Sequence, residues 1–155
     1  MKTPTAPGIR GLCLGLLLLL MTVPALAAEY DSGVTAKVLK KTAVTGNNDK
    51  ITYPVTDKAE VTAMTVDLAP GAETGWHKHP VPVYAYVVAG QLSVELEDGR
   101  RLDFAGGDAI IEVVNTWHNG KNSGQVPVQL AVFYLGVEGM ANVIKPGPTD
   151  LLPRK

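Results

Sequence analysis

Cysteine is almost missing: the 155 residues hold one, Cys13, and it falls inside an apolar run near the N-terminus. Lys2 and Arg10 precede that run, Leu12 to Met21, which ends in the small-residue pattern Ala25-Leu26-Ala27. This is the pattern of a secretory signal peptide, with cleavage expected after Ala27. A membrane-spanning helix needs roughly 20 apolar residues, and Thr22 and Pro24 interrupt the run well short of that. Arg10-Gly11-Leu12 is a poor match to the small-residue box before a lipoprotein cysteine. The exported chain is therefore expected to carry no thiol. That excludes a disulfide framework, a cysteine zinc site and a thiol nucleophile.

Excess positive charge is missing too. All fifteen acidic residues follow Ala27 while two of the fourteen basic ones precede it, so the mature chain carries a formal charge of −3. No basic patch suggests nucleic acid or an anionic membrane surface as a partner, and no membrane contact is expected once the leader is removed. The 128 residues left after a cut at 27 make one ordinary domain with little room for a second.

Helical periodicity is the third absence. From Val34 onward, short runs rich in Val, Thr, Tyr and Ile alternate with turn residues, the spacing of an all-β sandwich or barrel. The clearest expected strands are Glu60 to Leu68, Val83 to Ala89, Leu92 to Glu97, Ala109 to Val113 and Val128 to Leu135. Pro70-Gly71 and Gly106-Gly107-Asp108 are turn signals. Asp98-Gly99, between Leu92–Leu96 and Arg101–Phe104, is a hairpin signal. Within that hairpin Leu92, Val94 and Leu96 alternate with Ser93, Glu95 and Glu97, giving one dry and one wet face.

Against this background the three histidines stand out. His77 and His79 are one residue apart, so on a strand both project from the same face and could occupy adjacent positions on a metal ion. His118 is the sole remaining histidine that could close a facial set of three. An isolated pair of this kind is equally compatible with satisfied core or surface histidines. The surrounding residues add context: Gly71 lies six before His77, Gly90 eleven after His79, Gly107 eleven before His118, and Asn122 four after it.

With these spacings the sequence resembles the cupin superfamily. Its first motif runs Gly, five residues, His-X-His, three or four residues, Glu, six residues, Gly, and here reads GAETGWHKHPVPVYAYVVAG over residues 71–90. The second motif appears as GDAIIEVVNTWHNGKN over residues 107–122, with Val113 in place of Pro and Asn115 in place of Gly. Asn tolerates a left-handed backbone, so the second exchange is mild. The resemblance covers roughly residues 59–136 and implies a single-domain jelly-roll barrel, the double-stranded β-helix. The implied order is leader 1–27, arm and first strands 28–58, barrel core 59–136 and tail 137–155. It also implies a homodimer, through an edge strand or an exchanged arm.

One departure bears on the chemistry. The glutamate that usually supplies a fourth ligand falls on Val83, with Tyr84 beside it and of opposite strand parity. The expected metal ligands are thus His77, His79 and His118 alone. Glu73 is a plausible substitute carboxylate, since it shares the parity of His77 and His79 if the strand is regular through Gly75. Glu112 is expected at the surface or behind a ligand, because its parity with His118 depends on the backbone at Asn115. Trp76, Trp117, Tyr84 and Tyr86 flank the ligands and are expected to pack an outer face more than to bind substrate.

One divalent transition metal follows from the resemblance, Fe(II) first, with Mn, Ni, Cu or Zn as alternatives. Three-histidine cupins include dioxygenases of thiols, diketones and hydroxylated aromatic acids. The chain is also similar to small exported proteins described as quercetin-dioxygenase-like. The expected function is a periplasmic or secreted metal-dependent dioxygenase acting on a small chelating or aromatic substrate. The alternative is a non-catalytic module that binds a metal or small ligand. Apolar Val83, Ala85 and Val87 leave few proton carriers near the ligands, which places a lyase or isomerase third.

Overall fold

Alternation of buried and exposed side chains lays the chain down as two antiparallel sheets. The computed structural model describes residues 32–150; the leader with Cys13 and its expected cut after Ala27, and the last five residues with Pro153, lie outside the described residues. Residues 32–36 form a unit apart and carry no regular structure beyond a turn. From Lys37 onward the described chain holds seven strands and no helix. They are β1 (Ala59–Leu68), β2 (Val83–Ala89), β3 (Gln91–Leu96), β4 (Arg101–Ala105), β5 (Ala109–Ile111), β6 (His118–Asn122) and β7 (Val128–Val137).

One sheet runs in the order β1-β7-β2-β5 and the other β4-β3-β6. β7 pairs with β1 along ten residues, Ala59↔Val137 to Leu68↔Val128, and with β2 on its other side. The facing positions Val83, Ala85 and Val87 of β2 and Val128, Leu130, Val132 and Tyr134 of β7 are buried. With Leu68, Val81, Leu92 and Ile110 they form the core. Burying one Val or Leu fully is worth about 1.5–3 kcal/mol, so this alternation drives the two faces together. The opposite positions Tyr86 and Val88 remain exposed, on the outer face expected for Tyr86, whereas Trp117, expected on an outer face as well, is buried.

The expected hairpin at Asp98-Gly99 joins β3 to β4, with Gly99 at φ 82° and Arg100 N–H donating to Asp98 Oδ1 at 3.0 Å. Gly90 carries the chain from one sheet to the other. Its φ is 87°, and a Cβ there would stand 2.6 Å from the Pro127 carbonyl oxygen and 2.8 Å from Val128 Cα. Only glycine meets both demands.

Two strands differ from expectation. β5 ends at Ile111 rather than Val113, because Asn115 takes the left-handed conformation, φ 54°, and turns the chain. β6 has no apolar alternation to announce it, being His-Asn-Gly-Lys-Asn. Pairing with β3 holds it, Leu96↔His118 through Leu92↔Asn122. The fully buried Asn122 fastens its end: Nδ2 donates to the carbonyls of Leu68 (2.9 Å) and Val126 (2.8 Å), and Oδ1 accepts from Gly124 N–H (2.9 Å). One side chain thus ties β1, β6 and the loop into β7 together.

Candidate metal centre

His77 and His79 sit on the extended segment between β1 and β2, and His118 opens β6. His77 and His118 bridge their backbones reciprocally, each N–H donating to the other's carbonyl at 2.9 Å. Lys78 pairs with Ile144 in the same way, so this short stretch alternates like a strand although no continuous ladder holds it. Lys78 points away, its Nζ 4.4 Å from the centre of the buried Trp117 ring. The two flanking histidines point inward. All three rings are buried, 8%, 2% and 2% exposed for His77, His79 and His118, with centroids 4.3–5.0 Å apart.

Hydrogen bonds fix which nitrogen of each ring faces the others. Nδ1 of His77 lies 2.8 Å from the Gly75 carbonyl oxygen, Nδ1 of His79 2.8 Å from that of Asn142, and Nδ1 of His118 2.9 Å from that of Thr116. A carbonyl only accepts, so each Nδ1 carries the proton and donates it. In the neutral imidazole this leaves the Nε2 lone pair free for a metal. One ligand atom from each of the three residues falls in a group whose members all lie within 4.8 Å of one another. His118 Nε2 is buried and makes no hydrogen bond. The donor set fits one divalent transition metal.

A carboxylate stands beside two of the three histidines. Glu112 Oε2 stands 3.2 Å from His79 Nε2 and 3.4 Å from His118 Nε2, with 19% of its side chain exposed. Burial pushes this carboxyl up; protons on the facing nitrogens of His118 and His79 would outweigh burial and hold it well below the usual carboxylate range. Burial, and then the neighbouring His118, lowers His77 from 6.5 to about 4. Tyr134 packs edge-on against His79 with centroids 5.4 Å apart. Its phenol is pushed up by burial and by the charge of Glu112.

Comparison with known proteins agrees with this geometry. Residues 64–134 match the family described as the cupin domain. The barrel has the cupin fold. DMSP lyase DddQ from Ruegeria pomeroyi DSS-3 superposes with a TM-score of 0.50 at 19% identity, over 59% of this chain and 45% of the lyase. An oxalate decarboxylase–formate complex from Lactobacillus farciminis gives 0.48 at 22% identity, over 54% and 26%. An uncharacterized Klebsiella pneumoniae protein with a double-stranded β-helix domain gives 0.45 at 21% identity, over 59% and 78%. The chain therefore spans about a quarter of the decarboxylase and under half of the lyase. The likeness to the lyase bears on the fold alone. No curated protein sequence matches.

Within the cupin barrel, His77, His79 and His118 converge as the motifs imply, and Val83 is buried at 1% exposure where a glutamate was expected. Glu73 does not replace that glutamate. Gly75, at φ 72°, breaks the regular parity, and the Glu73 carboxylate turns to Asn119 Nδ2 (3.0 Å) and Lys121 Nζ (3.1 Å). The expectation for Glu112 is corrected in the other direction. Glu112, six residues before His118 and two after the buried Ile110, shares their inward face although the left-handed Asn115 intervenes. The signal was a lone carboxylate in the apolar run Ala109-Ile110-Ile111-Glu112-Val113. Tyr134 was legible only as an inward position of β7. The Asn142 carbonyl carried no signal, since any residue has one.

Proposed function

We propose that this chain is a metal-binding cupin that holds one divalent transition metal on His77, His79 and His118, and that it works as a non-heme dioxygenase-like oxidoreductase on a small chelating or aromatic substrate. The observation that carries the metal reading is the set of three Nδ1–carbonyl hydrogen bonds, which direct three lone pairs into one buried space. Fe(II) is the metal proposed first; Mn, Ni, Cu and Zn suit the same imidazoles. Bound iron would supply electron exchange with dioxygen. The protein supplies the dry surroundings: a cavity of about 30 Å³ beside His118 and Glu112, lined by Leu92, Val94, Ile110 and Phe104. A space of that size and polarity suits a molecule on the scale of dioxygen.

The same cavity favours a second reading, a module that keeps a metal without turning over an organic substrate, because a flavonol or catechol does not fit in about 30 Å³. Metal analysis of protein taken from its native compartment, beside His77→Ala and His118→Ala, tests the shared claim. Wild type should carry close to one metal per chain and the variants far less; equal traces in all three would remove it. Oxygen uptake by the iron form with catechols, diketones and flavonols then decides between enzyme and binder.

Export to the periplasm or beyond is proposed on the residues up to Ala27, and N-terminal sequencing of the recovered protein tests it. A homodimer is proposed as well. Among the described residues β1 pairs only with β7, leaving an edge where Val61 and Met64 are exposed. A bare edge of this length is a pairing site. Gel filtration at the mass of one chain would refute it.

A further inference from the structure

We propose that Glu112 is a fourth protein ligand of the metal, delivered from the end of β5 because β2 offers only Val83. This inference rests on the metal reading of the three histidines.

The distances support direct ligation. Metal–nitrogen and metal–oxygen bonds of about 2.0–2.2 Å set neighbouring ligands about 2.8–3.6 Å apart, between the right angle of an octahedron and the wider angle of a tetrahedron. Oε2 of Glu112 is 3.2 Å from His79 Nε2 and 3.4 Å from His118 Nε2. The chemistry of the donor set points the same way. His79 and His118 have each given their proton-bearing nitrogen to a carbonyl, so the two Nε2 atoms facing Glu112 are acceptors, as its own oxygens are. Acceptors gathered around one point are held by a cation between them. Glu73, the other nearby carboxylate, turns to Lys121 and Asn119 instead.

The ladder explains how the carboxylate changes strand without leaving the site. Glu112 N–H donates to the Val83 carbonyl at 3.0 Å, one step beyond the pair Tyr84↔Ile111. Residues opposed across an antiparallel ladder present their side chains to the same face, about 5 Å apart. A long Glu112 side chain therefore covers ground that a residue at position 83 would otherwise supply. Ligation by Glu112 cancels half the charge of a divalent ion. It fits the centre to neutral or singly anionic substrates and shifts its preference toward Mn(II) and Fe(II), which take carboxylate readily.

The test is Co(II) and Mn(II) titration of metal-stripped wild type, Glu112→Gln and the double variant Val83→Glu/Glu112→Gln, followed by visible absorption and electron paramagnetic resonance. Loss of a partner outside the coordination sphere typically weakens a metal about 10–100-fold. Removing a ligand should cost more than about 100-fold, change the Co(II) spectrum, and be recovered by the double variant. A carboxylate band in the metal-induced infrared difference spectrum of wild type should vanish in Glu112→Gln. Its absence from wild type overturns the proposal even if the variant does not fold. Glu112→Gln binding within threefold of wild type with an unchanged spectrum overturns the role of Glu112 and leaves the three-histidine reading standing. Wild type that binds neither ion overturns both.

Discussion

Val83 and Glu112 are joined by one backbone hydrogen bond, 3.0 Å from the Glu112 nitrogen to the Val83 carbonyl, and their side chains face the same interior. The apolar partner is buried and the acidic one reaches two histidines. Placing Glu at position 83 while keeping Glu112 sets two carboxylates about 5 Å apart in a poorly solvated space. Metal-free Val83→Glu should therefore melt below metal-free wild type, by an amount equivalent to about 2 kcal/mol or more. A saturating divalent metal should restore more stability to the variant than it adds to wild type. Differential scanning calorimetry with and without metal checks both halves.

Asn122 donates two hydrogen bonds and accepts one while fully buried. Asn122→Asp keeps the shape but replaces the donor with an acceptor that faces two carbonyls. Each buried group left unpaired costs about 1–3 kcal/mol. The urea midpoint should fall by the equivalent of about 3 kcal/mol or more, with no change in metal stoichiometry per folded chain.

Two glycines of the motifs part company on substitution. At Gly107, φ is 100° but nothing lies within 4 Å of an added Cβ, whereas at Gly90 the Cβ collides with the backbone of Pro127 and Val128. Gly107→Ala carries backbone strain alone, about 1–3 kcal/mol. Gly90→Ala adds the collision and should yield little soluble protein. Comparable denaturation midpoints for the two would show that the sheet-to-sheet crossing is less crowded than drawn.

Acid should weaken the metal-free protein before it reaches the carboxylate range. His77 titrates near 6.5 when unfolded and near 4 when folded, so the unfolded chain binds the proton first as pH falls. The contribution is fully present above pH 6.5 and is lost as pH drops to 4, about 3 kcal/mol in all. Urea denaturation at intervals from pH 7.5 to 4.5 should show this slope in wild type and a shallower one in His77→Gln. Equal slopes would count against a neutral, buried His77.

The sheets were legible because β2 and β7 alternate strictly, and Val83-Ala85-Val87 could be read inward without coordinates. The three histidines were legible for a related reason: period two fixes a face for His77 and His79, and the motif spacing places His118. β6 was hidden because its stability lies in its partner strand and in Asn122 rather than in its own residues. Glu112 was misplaced because its even spacing from His118 spans Asn115, where a bulge would cancel the shared face; the left-handed turn there leaves both side chains on the inner face. Sequence periodicity is a local ruler, and the backbone at a turn decides whether it carries across.

The hydrogen bond from His79 to the Asn142 carbonyl has a consequence in time as well as in space. Asn142 lies beyond β7, anchored by its Nδ2 to Thr62 Oγ1 at 2.9 Å. Until that segment has crossed the barrel, His79 has no fixed tautomer and the three lone pairs do not converge. A chain in which that segment has not docked thus offers no finished chelator. The metal site and the closure of the segment onto the barrel form together.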